Sequence, residues 1–246
     1  MCMTRYLINF SYDGSNYNGY QKQKGLNTIQ GKMEEALEYI NNHKYTKFSS
    51  SGRTDAFVHA INQYGHADIE VNITEYKLKR ALNSLLPDDI YVKKTMVINN
   101  EFHSRYNAKR KEYIYKINMG EYNPIERNYV YQLGKKLNVE KMKEALKYLK
   151  GEHDFKYLSS NEIEEKNTIR KLYSATIKEK GDYLELSFIG NGFLKYMVRT
   201  MVGILIQIGL NKCEPIEIKN ILNGNGKKNY KKIAPAQGLY LKNVTY

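Results

Sequence analysis

The chain has 246 residues but only two cysteines, Cys2 and Cys213, and no Cys-x-x-Cys pair. That argues against a disulfide framework and leaves no thiolate zinc site. The five histidines, His43, His59, His66, His103 and His153, are scattered, and none forms a His-x-x-x-His ligand pair. No metal is therefore expected. Long apolar runs are missing too. The longest, Met201 to Leu210, is interrupted by Gly203, Gln207 and Gly209 and is too short to span a bilayer. Residues Met1 to Phe10 contain neither an apolar signal core nor a cleavage site and go straight into an alternating pattern. These absences describe a soluble, cytoplasmic protein with no membrane partner.

What is present is positive charge and tyrosine. Hydrophobic residues make up 41% of the chain, enough for a globular fold of one large domain or two small ones. The formal charge is +13. Such an excess favours polyanions, because each phosphate neutralised releases counterions. The competing explanation is a solvated lysine surface on a Lys-, Asn-, Ile- and Tyr-rich chain. The 23 tyrosines offer faces for stacking on bases, although strands and cores also consume tyrosine.

Periodicity gives a mixed order of elements. Tyr6, Ile8, Phe10 and Tyr12 alternate as in a strand, which ends at the Asp13-Gly14-Ser15 turn. Thr28 caps a helix carrying Ile29, Met33, Leu37 and Ile40. Strands are expected near 47–51, 63–69, 90–98 and 111–118, with a second helix capped by Thr74. The second half repeats the rhythm. Asn138 caps a helix closed by Gly151, strands are expected at 170–178 and 183–189, and a long helix runs from Leu194 to Ile208. Pro215 opens a short helix, and Tyr240 to Val244 is a closing strand. The polar stretches 156–167 and 223–232 are expected as loops. The class is α+β with a mostly antiparallel sheet, and the two similar halves suggest a duplication with its boundary near Asn99 to Asn107.

Four segments carry chemistry. Tyr12 to Gln23 packs glycines, amides and tyrosines into one loop, which is either a plain surface hairpin or a surface for bases and riboses. Ser50 to Ala60 places Asp55 two residues from Arg53 on a loop after a strand. An Asx turn explains such an Asp in isolation. Phe102 to Tyr115 sets Arg105, Lys109, Arg110 and Lys111 among aromatics, with Tyr113, Tyr115 and Ile117 on one strand face. That face is either buried core or an RNA platform. Finally, Arg199 sits in a strongly apolar helix, where it is costly unless paired with a carboxylate. Asp55 is the candidate partner.

Taken in order, these segments resemble the TruA family of transfer-RNA pseudouridine synthases. The matching stretches are Tyr12 to Gln23, Gly52 to Ala56, Phe102 to Tyr115, Phe193 to Arg199 followed by Val202 and Gly203, and Ala234 to Leu241. The resemblance is colinear over essentially the whole chain. It implies two RRM- or ferredoxin-like halves, 1–103 and 104–246, forming a mostly antiparallel mixed sheet. Helices would pack on one side, with a basic active-site cleft between the halves. It further implies isomerisation of uridine to pseudouridine at positions 38, 39 and 40 of the tRNA anticodon stem-loop, by a homodimer without cofactor or metal.

The resemblance also implies roles for individual residues of this chain. Asp55 is the catalytic nucleophile and Arg199 its charged partner. Tyr113 stacks on the target base, and Arg53 helps displace or hold the flipped nucleotide. Tyr12, Asp13, Tyr17, Gln21, Gln23, Thr54, Arg105, Arg110, Lys111 and Leu239 form the RNA- and substrate-binding set. The chain departs from the family pattern at Phe57, where glycine is usual, and at Tyr20, where tryptophan is usual. Phe57 leaves open a paralogous synthase acting on another RNA, such as ribosomal RNA. A non-catalytic RNA-binding protein would explain the charge and tyrosines but not Arg199, and a metal-dependent nuclease needs clustered carboxylates that the chain lacks.

Overall fold

The computed structural model describes residues 3–160 and 167–246. Cys2 and residues 161–166 of the expected loop at 156–167 lie outside the described residues. The chain divides into two compact units, Met1–Lys109 with Tyr240–Tyr246, and Arg110–Leu239. The class is α+β, with mixed and largely antiparallel strand pairing. Among the described residues no helix is long and apolar enough to cross a membrane.

The first unit contains β1 (Thr4–Tyr12), α1 (Ile29–Ile40), β2 (Ser49–Ser50), β3 (His59–Ile69), α2 (Glu75–Leu85) and β4 (Ile90–Val97). β1 lies between β3 and β4, antiparallel to both, with Ile8 opposite Gly65 on one side and Thr95 on the other. Tyr6, Ile8, Phe10 and Tyr12 are buried as the alternation predicts, and Leu7 and Asn9 are buried as well, so both faces of β1 are covered. In α1, Ile29, Met33 and Leu37 recur every fourth residue and are all buried. The Thr28 hydroxyl accepts from the Gly31 amide at 3.3 Å and starts the helix.

Glu34 in α1 is buried but satisfied. Its carboxylate accepts from the Phe48 amide at 3.2 Å, from the Gln30 side chain at 3.0 Å and from Lys22 at 3.1 Å. This one carboxylate ties the helix to the segments on either side of it. α2 is fastened to β4 by Asn83, whose side chain makes two bonds with the Val92 backbone.

His66 on β3 has a defined protonation state. Its Nδ1 accepts from the Ser104 amide at 3.2 Å and lies 2.9 Å from the Ser104 hydroxyl. A ring nitrogen that accepts an N–H carries no proton, so the fold holds neutral His66. Burial first, then the charges of His103, Arg5 and Lys47, lower its pKa to about 4, with Asp68 pulling the other way. Between about pH 4 and the ordinary value of 6.5 the unfolded chain therefore binds the extra proton. Stability rises with pH across that window and falls as the solution is acidified through it. Urea midpoints measured across it should show a flatter slope in His66→Gln than in the wild type; equal slopes would remove His66 from the effect.

The second unit contains β5 (Arg110–Asn118), β6 (Tyr131–Gln132), α3 (Val139–Leu149), β7 (Gly151–Asp154), β8 (Ile169–Lys180), β9 (Tyr183–Gly190), α4 (Met197–Gly209) and α5 (Glu217–Leu222). β9 is antiparallel to β5 and to β8, β8 is antiparallel to β7, and β6 runs parallel to the end of β5. Leu184, Leu186 and Phe188 alternate as buried positions along β9. The Asn138 side chain caps α3 through the Lys141 amide at 3.1 Å.

In α4 every residue is buried except Arg199, which is half-buried. The helix starts three residues later than the Leu194 that periodicity suggests. Tyr196 adopts a left-handed φ of +62°, which ends the preceding turn before the helix begins. The final strand, β10 (Leu239–Thr245), runs parallel to β3, with Tyr240 opposite His59 and Leu241 opposite Ala60. Residues Tyr240–Tyr246 thus belong to the first unit.

Candidate active site

The Asp55 loop connects β2 to β3, and its geometry is imposed from below. The buried Gln63 side chain accepts from the Ser51 hydroxyl at 2.5 Å and donates to the Gly52 carbonyl at 3.0 Å. The Tyr12 and Thr54 hydroxyls meet at 2.8 Å inside the unit. Burial raises the Tyr12 pKa to about 12, so the phenol stays neutral and the pair is a plain hydrogen bond. The Asp55 carbonyl accepts from the Val58 amide at 3.3 Å, which closes a turn over Ala56 and Phe57.

The Tyr12–Gln23 loop clamps this turn from one side. The Tyr20 amide donates to the Thr54 carbonyl at 3.1 Å, and the Phe57 amide donates to the Tyr17 carbonyl at 3.4 Å. Close approach requires glycine at position 14, where a Cβ would sit 2.1 Å from the Val58 carbonyl oxygen. The Gly14 amide donates to His59 Nδ1 at 3.1 Å, and the same nitrogen faces an Asp13 carboxylate oxygen at 3.1 Å. The His59 ring stacks on Tyr240 with centroids 4.7 Å apart. Tyr17 donates its hydroxyl to Asp89. His59, Gln63, Asp89 and Tyr240 are thus site-forming residues absent from the expected set. His59 and Tyr240 lie inside segments that the sequence singles out, Ser50 to Ala60 and Ala234 to Leu241, whereas Gln63 and Asp89 lie outside them.

The expected residues of the first unit separate by exposure. Tyr12, Tyr17 and Thr54 are buried; Asp13 and Asp55 are half-buried; Gln21, Gln23, Arg53 and Arg105 are exposed. Tyr12, Tyr17 and Thr54 build the loop, and the last group offers side chains to solvent. Phe57 is unlike its neighbours. Its φ is +65°, and its side chain is 52% exposed. A left-handed bulky residue costs about 1–3 kcal/mol.

In the second unit, Tyr113 on β5 is buried with its ring edge-on to Phe193, centroids 5.0 Å apart. Tyr115, two residues on, donates its hydroxyl to the Pro235 carbonyl at 2.7 Å, and burial raises its pKa. Arg199 Nε donates to the Ala234 carbonyl at 2.8 Å, and the Ala234 amide returns a bond to the Arg199 carbonyl at 3.0 Å. The Arg199 guanidinium also lies over the Tyr196 ring at 5.2 Å. Gly203 permits this docking, since a Cβ there would meet the Lys232 carbonyl oxygen at 1.8 Å. Arg110 is exposed and lies over the Tyr173 ring at 4.9 Å, Lys111 is half-buried, and Leu239 is buried.

The first unit thus holds a half-buried carboxylate, Asp55, on a clamped loop that also carries the exposed Arg53. The family model for tRNA pseudouridine synthase matches residues 8–107 and 145–246. A tRNA pseudouridine synthase A from Anoxybacillus flavithermus is 40% identical over 99% of this chain and 99% of its own. That of Limosilactobacillus reuteri is 40% identical over 99% and 97%, and that of an Exiguobacterium strain 41% over 99% and 98%. The chain belongs to the tRNA pseudouridine synthase family.

Proposed function

We propose that this protein isomerises uridine to pseudouridine at positions 38, 39 and 40 of the tRNA anticodon stem-loop, with Asp55 as nucleophile. One observation carries the reading: similarity at 40% identity that extends over 99% of both chains to a relative of that name. In the reaction the N1–C1′ bond breaks, the uracil turns, and a C5–C1′ bond forms. The C5 proton leaves to solvent and N1 gains a proton. No electrons are gained or lost, so the chemistry calls for no redox cofactor.

Asp55 must be ionised and fixed in one orientation. In this reading Arg199 favours its charged form, as a guanidinium beside a carboxylate does. Tyr113 covers the target base, and Arg53 occupies or holds open the place of the flipped nucleotide. Leu239 walls the base site. Gln21, Gln23, Arg105, Arg110 and Lys111 meet RNA backbone and edges, while Tyr12, Asp13, Tyr17 and Thr54 serve by holding the Asp55 turn. The active form is a cytoplasmic homodimer, with one RNA touching both subunits.

Unmodified tRNA transcripts incubated with the protein and no added metal should acquire pseudouridine at 38, 39 or 40 in the anticodon arm. Modification confined to ribosomal RNA fragments, or none in any RNA, would overturn the assignment.

A further inference from the structure

Phe57 is the one exposed phenylalanine among the described residues; Phe10, Phe48, Phe155 and Phe188 are fully buried. The other exposed aromatic rings among the described residues carry polar atoms: they are tyrosines and His43, and several of the tyrosines have a cation over them, as Lys79 has over Tyr91 and Arg80 over Tyr76. Phe57 has no polar tip. Its backbone is also held left-handed, by the amide bond to Tyr17 on one side and the Asp55–Val58 turn on the other. In the free protein both features are unfavourable, and neither is repaid by burial.

The position gives the ring a use. It stands two residues beyond Asp55, on a rigid turn flanked by exposed Arg53 and by the amide-rich loop that ends in Gln21 and Gln23. A flat apolar face on a clamped backbone is pre-organised for stacking, and every base presents a matching face. We propose that Phe57 is a substrate-contacting residue whose ring stacks on a base of the bound RNA next to the target uridine. The proposal rests on the reading of Asp55 as the reacting group. It goes further in making Phe57 a determinant of which uridines this chain accepts.

The test uses an anticodon stem-loop RNA carrying 2-aminopurine beside the target uridine. Wild type, Phe57→Tyr and Phe57→Gly are compared for binding, fluorescence quenching and single-turnover isomerisation. Phe57→Gly relieves the left-handed strain, so it should melt no lower than the wild type. It should nonetheless bind about ten- to a hundredfold more weakly and lose the quenching. Phe57→Tyr should keep both. Wild-type affinity and quenching in Phe57→Gly would overturn the proposal. So would a change in self-association without a change in RNA binding, which would make the ring a contact between copies. Binding and quenching are read without turnover. A wild type that quenches but makes no pseudouridine would sink the assignment of function and leave the Phe57 contact standing. A wild type that makes pseudouridine with no dependence on Phe57 would do the reverse.

Discussion

Asp55→Asn is expected to fold as the wild type does, to bind RNA and to form no pseudouridine. The two side chains are nearly the same size, and the turn is closed by the Asp55 backbone carbonyl bonding to Val58, which asparagine retains. Loop geometry is set by Gln63, Tyr12 and Thr54, and the substitution leaves all three in place. What disappears is the negative charge, and a neutral amide is no nucleophile. Loss of a nucleophile in an otherwise intact site removes on the order of 10⁴-fold or more in rate. Circular dichroism and filter binding should match the wild type, while single-turnover isomerisation falls to background. A variant that keeps a tenth of the rate would take Asp55 out of its role.

Arg199→Leu is expected to give the next largest loss, falling on kcat rather than on affinity. Arg199 is the only residue of α4 that is not buried, and leucine is a good helix former, so the helix persists. The variant gives up the bond to the Ala234 carbonyl, worth about 1 kcal/mol in stability. If the guanidinium holds the nucleophile charged and oriented, its removal costs about 10²-fold in kcat, the scale seen when one preorganised charged donor is deleted. The RNA dissociation constant should move little, and so should its salt dependence. Equal losses in binding and rate, with a shallower salt slope, would make Arg199 a phosphate contact instead.

Much of this arrangement is written locally. Thr28, Thr74 and Asn138 announce their helices because an N-cap is a contact over three residues. β1 and β9 announce themselves by alternation. The Asp55 loop is recognisable because its residues are contiguous. What stays hidden depends on partners far along the chain. Tyr12 and Tyr17 look like RNA-facing residues in a polar loop, yet each is buried on a partner 42 or 72 positions away, Thr54 and Asp89. A tyrosine has an apolar ring and a polar tip and suits either place, so composition does not separate the two. The pairing of Tyr240 with His59 is hidden for the same reason.

The late start of α4 has a different cause. Tyr196 takes a left-handed conformation that glycine or asparagine would have signalled and tyrosine does not. Arg199, by contrast, was legible as an oddity, a lone charge in an apolar helix. It is half-buried at the first turn of α4 and donates to the Ala234 carbonyl.

Asp55 is the group proposed to convert uridine to pseudouridine in tRNA. Formation of the C5–C1′ bond expels the hydrogen from C5, so tritium placed at C5 of uridine reports each turnover directly. Wild type and Asp55→Asn, each saturated with the same 5-tritiated tRNA transcript, are the comparison. This role of Asp55 requires release from the wild type in proportion to the modifiable uridines, and release at background from Asp55→Asn. Release by the variant approaching that of the wild type, or none from a folded, RNA-bound wild type, would contradict it.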